Sequence, residues 1–521
     1  MKQIITKKSS LLRSTSLVSV MTFLSRILGF ARDMVLAHNF GAGASMDAFF
    51  VAFRIPNFMR RLFAEGAFAQ AFVPVLAEYQ QNKTDADVRQ FIARVLGQLS
   101  AVLTIVTVLG VLLAPLVIAV FAPGFGLDSL RGSLATEMLR LTFPYLMLIS
   151  LTAMAGAILN TYGYFGVPAI TPALLNICMI AAVFYLCPYF SHPVVGVALG
   201  VLIAGVAQLL LQLPFLIKKN LLVKPQLVLH DAGVRQVLRL MVPALFGVSV
   251  AQLNLMVDSI FASFLKVGSV SWLYYTDRLT DFPLGVFGVA ISTVILPYLS
   301  RRHADNMHAK YSKTLDWGLR LVILIGVPAA TGLVFFAEPL IASCFGYGKF
   351  SSYDLVQTEK SLITLGLGVP AFMLVKVLAS GFYAQQNIKT PVKVGALVML
   401  LNSILCAILI YPLQHAGLAL ASSLAGYINA GILFALLLKR KIFSPSPGWI
   451  KYLLKVFCAN VAMGSYLLWG AGASERWMHF MVSQRMFFLL LHVILAVIIY
   501  VGVLGLSGIR FAQFKGQVSG G

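Results

Sequence analysis

Apolar stretches long enough to cross a lipid bilayer recur from one end of this chain to the other, parted only by short polar joints, and few folds accept such a pattern. Inside hydrocarbon every backbone N–H and C=O must be satisfied within the protein, which leaves helices and closed barrels. A spanning helix takes about 20 consecutive apolar residues and a barrel strand about 10 of alternating character; the runs here are of the first kind. With 59% hydrophobic residues, 11% charged residues and a mean hydropathy of +0.88 over 521 residues, the chain exceeds what a water-facing surface tolerates. The fold class is therefore an all-α polytopic membrane protein. The basic start (Lys2, Lys7, Lys8, Arg13) resembles the head of a signal peptide. The run behind it holds Arg26 and Arg32 and lacks a small-x-small cleavage site, so it reads as a retained first span.

Cut at its polar and Gly/Pro-rich joints, the chain yields fourteen transmembrane helices. Six fall at roughly 16–38, 46–78, 90–121, 134–160, 164–188 and 193–217. Six more fall at roughly 236–265, 270–300, 314–345, 356–385, 392–412 and 416–438, and two at 450–471 and 484–507. Lysine and arginine crowd alternate loops: the N-terminus, Lys83 with Arg89, Lys218 to Arg235, Arg301 to Lys313, Lys389 with Lys393, Lys439 to Lys451, and the tail with Arg510 and Lys515. The other loops are nearly bare, holding only Arg131, Lys266, Lys349, and Arg476 with Arg485, so the positive-inside rule puts both termini in the cytoplasm. The same distribution explains the net charge of 40 − 18 = +22 as attraction to an anionic inner leaflet, and no nucleic-acid partner is implied. The cysteines and histidines show neither CxxC nor metal-ligand spacing, so no metal or cofactor is expected.

The chain also repeats itself. Pro115-Leu116 with Phe121 and Gly124 returns as Pro339-Leu340 with Phe345 and Gly348, a shift of 339 − 115 = 224. Gly196 to Leu199 with Gly205 returns as Gly417 to Leu420 with Gly426 (417 − 196 = 221), and Pro74-Val75-Leu76 as Pro297-Tyr298-Leu299 (297 − 74 = 223). Ordered matches at nearly constant offset mark an internal duplication. The division is residues 1–222 as an N-lobe of spans one to six, 223–442 as a C-lobe of spans seven to twelve, and 443–521 as two extra C-terminal helices. Six spans per copy is even, so the two six-helix repeats are parallel, an architecture of transporters with a site between lobes.

Seven cations, Arg26, Arg32, Arg54, Arg60, Arg61, Arg278 and Lys376, interrupt the spans. Charge at bilayer depth is costly and marks function by default. In Ser25 to Asp33, Arg26, Gly29 and Asp33 fall on one helical face, so Arg26 either lines a cavity or pairs with Asp33. The second span carries Asp47 near its outer end, then Arg54, Pro56, Arg60, Arg61 and Glu65. Pro56 removes a backbone hydrogen bond and bends the helix beside the arginines, while Arg61 and Glu65 at i, i+4 suit a structural pair. In the eighth span Arg278 stands between Asp277 and Asp281, either as a cavity arginine or in a neutral triad. Lys376 has no carboxylate within a helical turn and either binds a ligand or snorkels to an interface; Asp258 is a lone carboxylate in the seventh span. Arg26, Arg60 and Arg278 come nearest to mid-span. Arginine's planar fork matches phosphate oxygens and stays protonated in low dielectric, so the expected site is a polyanion-binding cavity between the lobes.

Four stretches carry a resemblance: SRILGFARD (Ser25 to Asp33), GAGASMDAFFVAFRIPNFMRRLFAEGAFAQAFVPVLAEY (Gly41 to Tyr79), SVSWLYYTDRLTDFPLGVFGVA (Ser269 to Ala290) and GFYAQQNIKTPVK (Gly381 to Lys393). The sequence resembles the MurJ/MviN family of lipid II flippases, within the multidrug, oligosaccharidyl-lipid and polysaccharide exporters. The resemblance implies MATE-like lobes in a bacterial inner membrane. It also implies alternating-access transfer of the undecaprenyl-diphosphate-linked peptidoglycan precursor, lipid II, to the outer leaflet for cell wall biogenesis. Carried onto matching positions, the family's cavity charges correspond to Arg26, Arg32, Asp47, Arg60 and Arg278, with Asp33 joining the first-span network. The two extra helices would form a groove for the lipid tail. Arg54 stands where some members have Lys, and Asp258 has no matching position. Either a monovalent cation or the membrane potential would drive the cycle, with membrane lipids and the peptidoglycan synthesis and division machinery as further partners. Other readings are an exporter of another polyprenyl-linked oligosaccharide, a multidrug exporter, or an enzyme on polyprenyl lipid. Mid-depth arginines disfavour cationic drugs, and His230-Asp231 and the His303/Asp305/His308 loop look like solvated residues, not a reactive pair. The chain is expected not to be an enzyme.

Overall fold

The computed structural model describes residues 2–228, 231–305, 307–472 and 474–509, and the side chains among them except at 2–16, 63–66, 244, 246–255 and 474–476. Every regular element among the described residues is helical. The chain forms two compact units, Met1–Gly268 and Ser269–Gly521.

The first unit holds α1 (Lys2–Phe40), α2 (Ala44–Met59), α3 (Ala69–Asn82), α4 (Asp85–Leu112), α5 (Ala114–Phe121), α6 (Leu130–Thr142), α7 (Pro144–Thr161), α8 (Gly166–Tyr185), α9 (Val194–Lys218) and α10 (Ala232–Ser263). Between α2 and α3 the backbone runs as a π-helical segment, Arg60–Phe68. Such wide turns are frequent at functional sites, and this one begins four residues after Pro56, at Arg60. The start of α4 is set by a capping box. Thr84 Oγ1 accepts from the Asp87 N–H (3.3 Å), and the Asp87 carboxylate accepts from the Thr84 N–H (3.2 Å) and hydroxyl (2.7 Å). The hydroxyl bond chiefly holds the exposed Asp87 carboxyl below its ordinary pKa.

Beyond the end of α9, Asn220 turns the chain in left-handed conformation (φ 55°), and the connection that follows, without regular structure to Val228, meets α4. Gln226 N–H donates to Ala93 O (2.9 Å) and Gln98 Nε2 to Val228 O (2.5 Å), while Gly97 lets the two backbones touch: a Cβ there would lie 2.2 Å from Gln226 O. Asp231 then pairs with Arg94 and caps α10 through the Val234 N–H (3.0 Å). The expected seventh span, α10, is fastened within the first unit at both ends. Gln236 Nε2 meets Glu78 Oε2 (3.2 Å) at one end; at the other, Gly124 N–H meets Ser263 Oγ (3.0 Å) and Arg131 Nη1 meets Leu265 O (3.2 Å). The contact unit thus extends to Gly268, beyond the lobe boundary at 222/223 expected from sequence.

The second unit holds α11 (Ser269–Pro283), α12 (Val289–Ala304), α13 (His308–Phe335), α14 (Ala337–Cys344), α15 (Ser352–Gly366), α16 (Val369–Tyr383), α17 (Lys389–Lys439), α18 (Trp449–Ala471), α19 (Ser474–His479) and α20 (Val482–Leu506). A rod of the 51 residues of α17 would be about 76 Å long at ~1.5 Å per residue, far more than a bilayer core of ~30 Å. It breaks instead at Gln414 (φ 53°, ψ −130°), and the fold-back is so tight that a Cβ on Gly417 would lie 2.2 Å from Leu409 O. A second π-helical segment, Leu284–Gly288, separates α11 from α12.

Landmarks of the two units recur at the sequence offset. The π-helical segments start 284 − 60 = 224 residues apart, α4 and α13 start 308 − 85 = 223 apart, and α5 and α14 start 337 − 114 = 223 apart. Left-handed residues pair likewise: Gly126 with Gly348 (348 − 126 = 222), Gly163 with Gln386 (386 − 163 = 223) and Asn220 with Lys441 (441 − 220 = 221). Ten helical stretches among the described residues are long and apolar enough to cross a membrane.

Arg485, near the start of α20, is by sequence a loop charge. It is 5% exposed and donates to four main-chain carbonyls: Phe480 O (2.9 Å), Met478 O (2.6 Å), Ala342 O (3.0 Å) and Gly346 O (2.6 Å). It thereby closes the C-terminal end of α14 and ties it to α19 and α20. Arg485→Gln is expected to destabilise the second unit by about 3 kcal/mol, since buried bonds to a charged donor are lost and carbonyls are left bare. A melting temperature of the purified protein equal to wild type would contradict this role.

Candidate functional site

The arginines of the first two helices are held in quite different ways. Arg32 (3% exposed) and Asp33 (0%) are buried, and Arg32 Nε and Nη2 donate to Asp33 Oδ1 at 2.9 and 2.7 Å. The third nitrogen, Nη1, donates to Asn176 Oδ1 on α8 (3.0 Å), and the guanidinium lies 6.0 Å from the Phe53 ring centre. The alternative pairing of Arg26 with Asp33 is therefore not what forms: Asp33 turns to its neighbour in sequence, and Arg26 is exposed. Residues i and i+1 diverge on a helix, but arginine's long side chain can curl back to an adjacent carboxylate.

On α2, Asp47 (0% exposed) accepts the Gly268 N–H at 2.7 Å, tying the end of the first unit to the first turn of α2. Arg54 is half-buried and donates to Ser259 Oγ on α10 (2.5 Å), one residue from the half-buried Asp258. Arg60 is half-buried at the mouth of the π-helical segment with Nε donating to Asn57 Oδ1 (3.3 Å), and Arg61 is exposed. The Glu65 side chain lies outside the described residues, as do His230, Arg510 and Lys515.

In the second unit Arg278 is half-buried, its guanidinium 5.6 Å from the ring centre of Tyr274 one turn earlier, and Asp281 is exposed. Lys376 is exposed, and its stem runs past the second π-helical segment: a Cβ on Gly288 would lie 3.4 Å from Lys376 Cδ. In each unit a π-helical segment therefore has a cation beside it, Arg60 in one and Lys376 in the other. An apolar groove of ≈ 960 Å³ opens in the second unit, lined by Leu319, Leu374, Leu378, Phe434, Trp449 and Ile450 with Lys451 at its edge. It lies at the start of α18, not along α18 and α20 together. Its rim is braced by Asp316, which accepts from Trp449 Nε1 (2.7 Å), the Ser446 N–H (3.1 Å) and Arg320 Nε (2.8 Å).

Sequence reasoning passed over Asn176, Ser259 and Asp316. Asn176 left a signal, an amide in an otherwise apolar fifth span; the pairing of Ser259 with Arg54 left none.

Arginines set into a helical bundle of this kind define a polytopic membrane protein of transporter architecture. The fold resembles a solved inward-facing multidrug resistance MATE family transporter of the MOP superfamily, with TM-score 0.67 over 82% of this chain and 97% of that one at 14% identity. A family model described as lipid II flippase MurJ matches residues 36–492, and the chain belongs to that family. It is 45% identical over 518 residues to the probable lipid II flippase MurJ of Vibrio cholerae, covering 98% of this chain and 99% of that protein. It is 40% identical over 512 residues to the lipid II flippase MurJ of Burkholderia cenocepacia, covering 97% and 99%. A solved lipid II flippase MurJ in an inward closed conformation matches with TM-score 0.78 at 29% identity, covering 94% of this chain and 97% of that one.

Asp47→Ala is expected to leave the Gly268 N–H without its acceptor and lower stability by about 1–3 kcal/mol. Thermal unfolding reads this out, and an unchanged midpoint would remove Asp47 as the fastener of that turn.

Proposed function

We propose that this chain is a lipid II flippase of the bacterial inner membrane, moving the undecaprenyl-diphosphate-linked precursor from inner to outer leaflet. The observation that carries this reading is family membership across residues 36–492 together with arginines retained at the positions the family resemblance assigns. Exposed Arg26 and half-buried Arg60 and Arg278 are the groups we assign to the diphosphate; their forks match its oxygens and keep their charge in low dielectric. Arg54, Arg61, Glu65, Asp281 and Lys376 complete the proposed site. Arg32, Asp33 and Asp47 would serve it from within the packed first unit. The polyprenyl tail would remain in lipid, with the apolar groove at the start of α18 as its path along the second unit.

Fourteen spans in two parallel six-helix copies plus two extra helices remain the reading of the membrane topology. Ten stretches qualify by length and composition. Adding α1, α2 with α3, α10, and a second crossing within α17 gives 10 + 4 = 14. The recurring landmarks support duplication, and the basic loops support cytoplasmic termini. The lobes would be residues 1–222 and 223–442, with 443–521 serving the tail. Transport would proceed by alternating access, driven by the membrane potential or a monovalent cation, alongside the peptidoglycan synthesis and division machinery. No step requires bond chemistry on the protein, so the chain is not an enzyme.

In cells depleted of their own lipid II flippase, Arg26→Ala, Arg60→Ala and Arg278→Ala are each expected to abolish complementation at normal protein abundance. Normal growth with all three would overturn the assignment of these arginines to the substrate.

A further inference from the structure

Asn176 of α8 sits in a notch on α1. Its Nδ2 donates to Ser25 O (3.2 Å) and its Oδ1 accepts from Arg32 Nη1 (3.0 Å). Between those contacts lies Gly29, whose added Cβ would stand 3.5 Å from the same Nδ2. Ser25, Gly29 and Arg32 are at i, i+4 and i+7, one stripe of the helix, so a single amide grips two turns of α1 where the glycine lets α8 come close. The amide has one orientation available. A guanidinium only donates and a main-chain carbonyl only accepts, so Oδ1 must face Arg32 and Nδ2 must face Ser25. The grip is buried, with Asn176 6% exposed and Arg32 3%.

Asp33 already supplies the negative charge opposite Arg32. A neutral amide is therefore not needed for charge balance, and what it adds is direction. An apolar helix against an apolar neighbour can rotate or slide by small steps at little cost, whereas a two-point hydrogen bond fixes both rotation and depth. Arg26 follows Ser25 directly, about 100° further round the helix, so the bond to Ser25 O also sets where the exposed Arg26 points.

We propose that Asn176 is a positioning residue for the arginines of α1: it holds Arg32 in place and, through Ser25, aims Arg26 at the diphosphate of the substrate. This rests on the flippase reading for the identity of the ligand, but the aiming itself does not.

The test uses purified full-length protein carrying Asn176→Leu, of similar volume without the amide, and Asn176→Gln, which keeps the amide on a longer stem. Lipid II binding is measured at equilibrium. In a parallel set bearing Arg26→Cys, the alkylation rate at position 26 is read by peptide mass, which separates it from the native cysteines. Asn176→Leu is expected to weaken lipid II binding about tenfold, the equivalent of one or two lost hydrogen bonds. It should also change the alkylation rate several-fold with little change in melting temperature, and Asn176→Gln should fall between Leu and wild type on both readouts. An alkylation rate at position 26 that ignores Asn176→Leu overturns the proposal. So does equal impairment of Leu and Gln variants in step with a falling melting temperature, which would reduce Asn176 to packing. Failure of the wild-type protein to bind lipid II would overturn the flippase reading instead, and the alkylation arm would still decide the aiming role.

Discussion

A guanidinium cannot be left bare at bilayer depth, and the helices of this protein are arranged around that requirement. Five arginines set among the spans find oxygen or a ring on another residue: Arg32 on Asp33 and Asn176, Arg54 on Ser259, Arg60 on Asn57, Arg278 over Tyr274, Arg485 on four main-chain carbonyls. The solutions differ in what they leave over. Arg32 and Arg485 are buried and their donors are turned into the protein. Arg54, Arg60 and Arg278 are half-buried, and Arg26 and Arg61 are exposed.

The backbone is most irregular where these charges lie. The π-helical segment opens at Arg60, and its counterpart Leu284–Gly288 lies beside Lys376. A wider turn shifts the facing of every residue after it and loosens the hydrogen-bond ladder, which a uniform α-helix in lipid would not do without reason. The breaks at Gln414 and after Asn220 serve a different end. They turn the chain at the limits of a span, and close approaches at Gly97 and Gly417 let backbones touch where a side chain would part them.

The second sequence copy begins before the second contact unit does. The chain from Asn220 to Val228 meets α4, Asp231 pairs with Arg94 of α4, and α10 is tied to its neighbours through Gln236, Ser263 and Leu265, so a segment that sequence comparison groups with the second half packs with the first. Which neighbour α10 lies against is settled by polar groups at its two ends.

Much of this was legible in the chain itself. Apolar runs of spanning length require helices because lipid offers backbone groups no partner, and the sequence offset near 223 reappears in helix starts and left-handed residues. Family-specific stretches such as Gly41 to Tyr79 identified the family. Contacts between residues far apart were not legible. Periodicity put Asp33 on the face of Arg26, yet the carboxylate went to Arg32. Arg485 reads as a loop charge, yet it caps a helix by a bond to a carbonyl 143 residues away (485 − 342 = 143). Sequence by itself determined which segments are helical and which residues are too costly to be idle, since both follow from local composition and the solvent. Only the tertiary structure decided which charge meets which partner, because the reach of a long flexible side chain depends on the helix packed across from it.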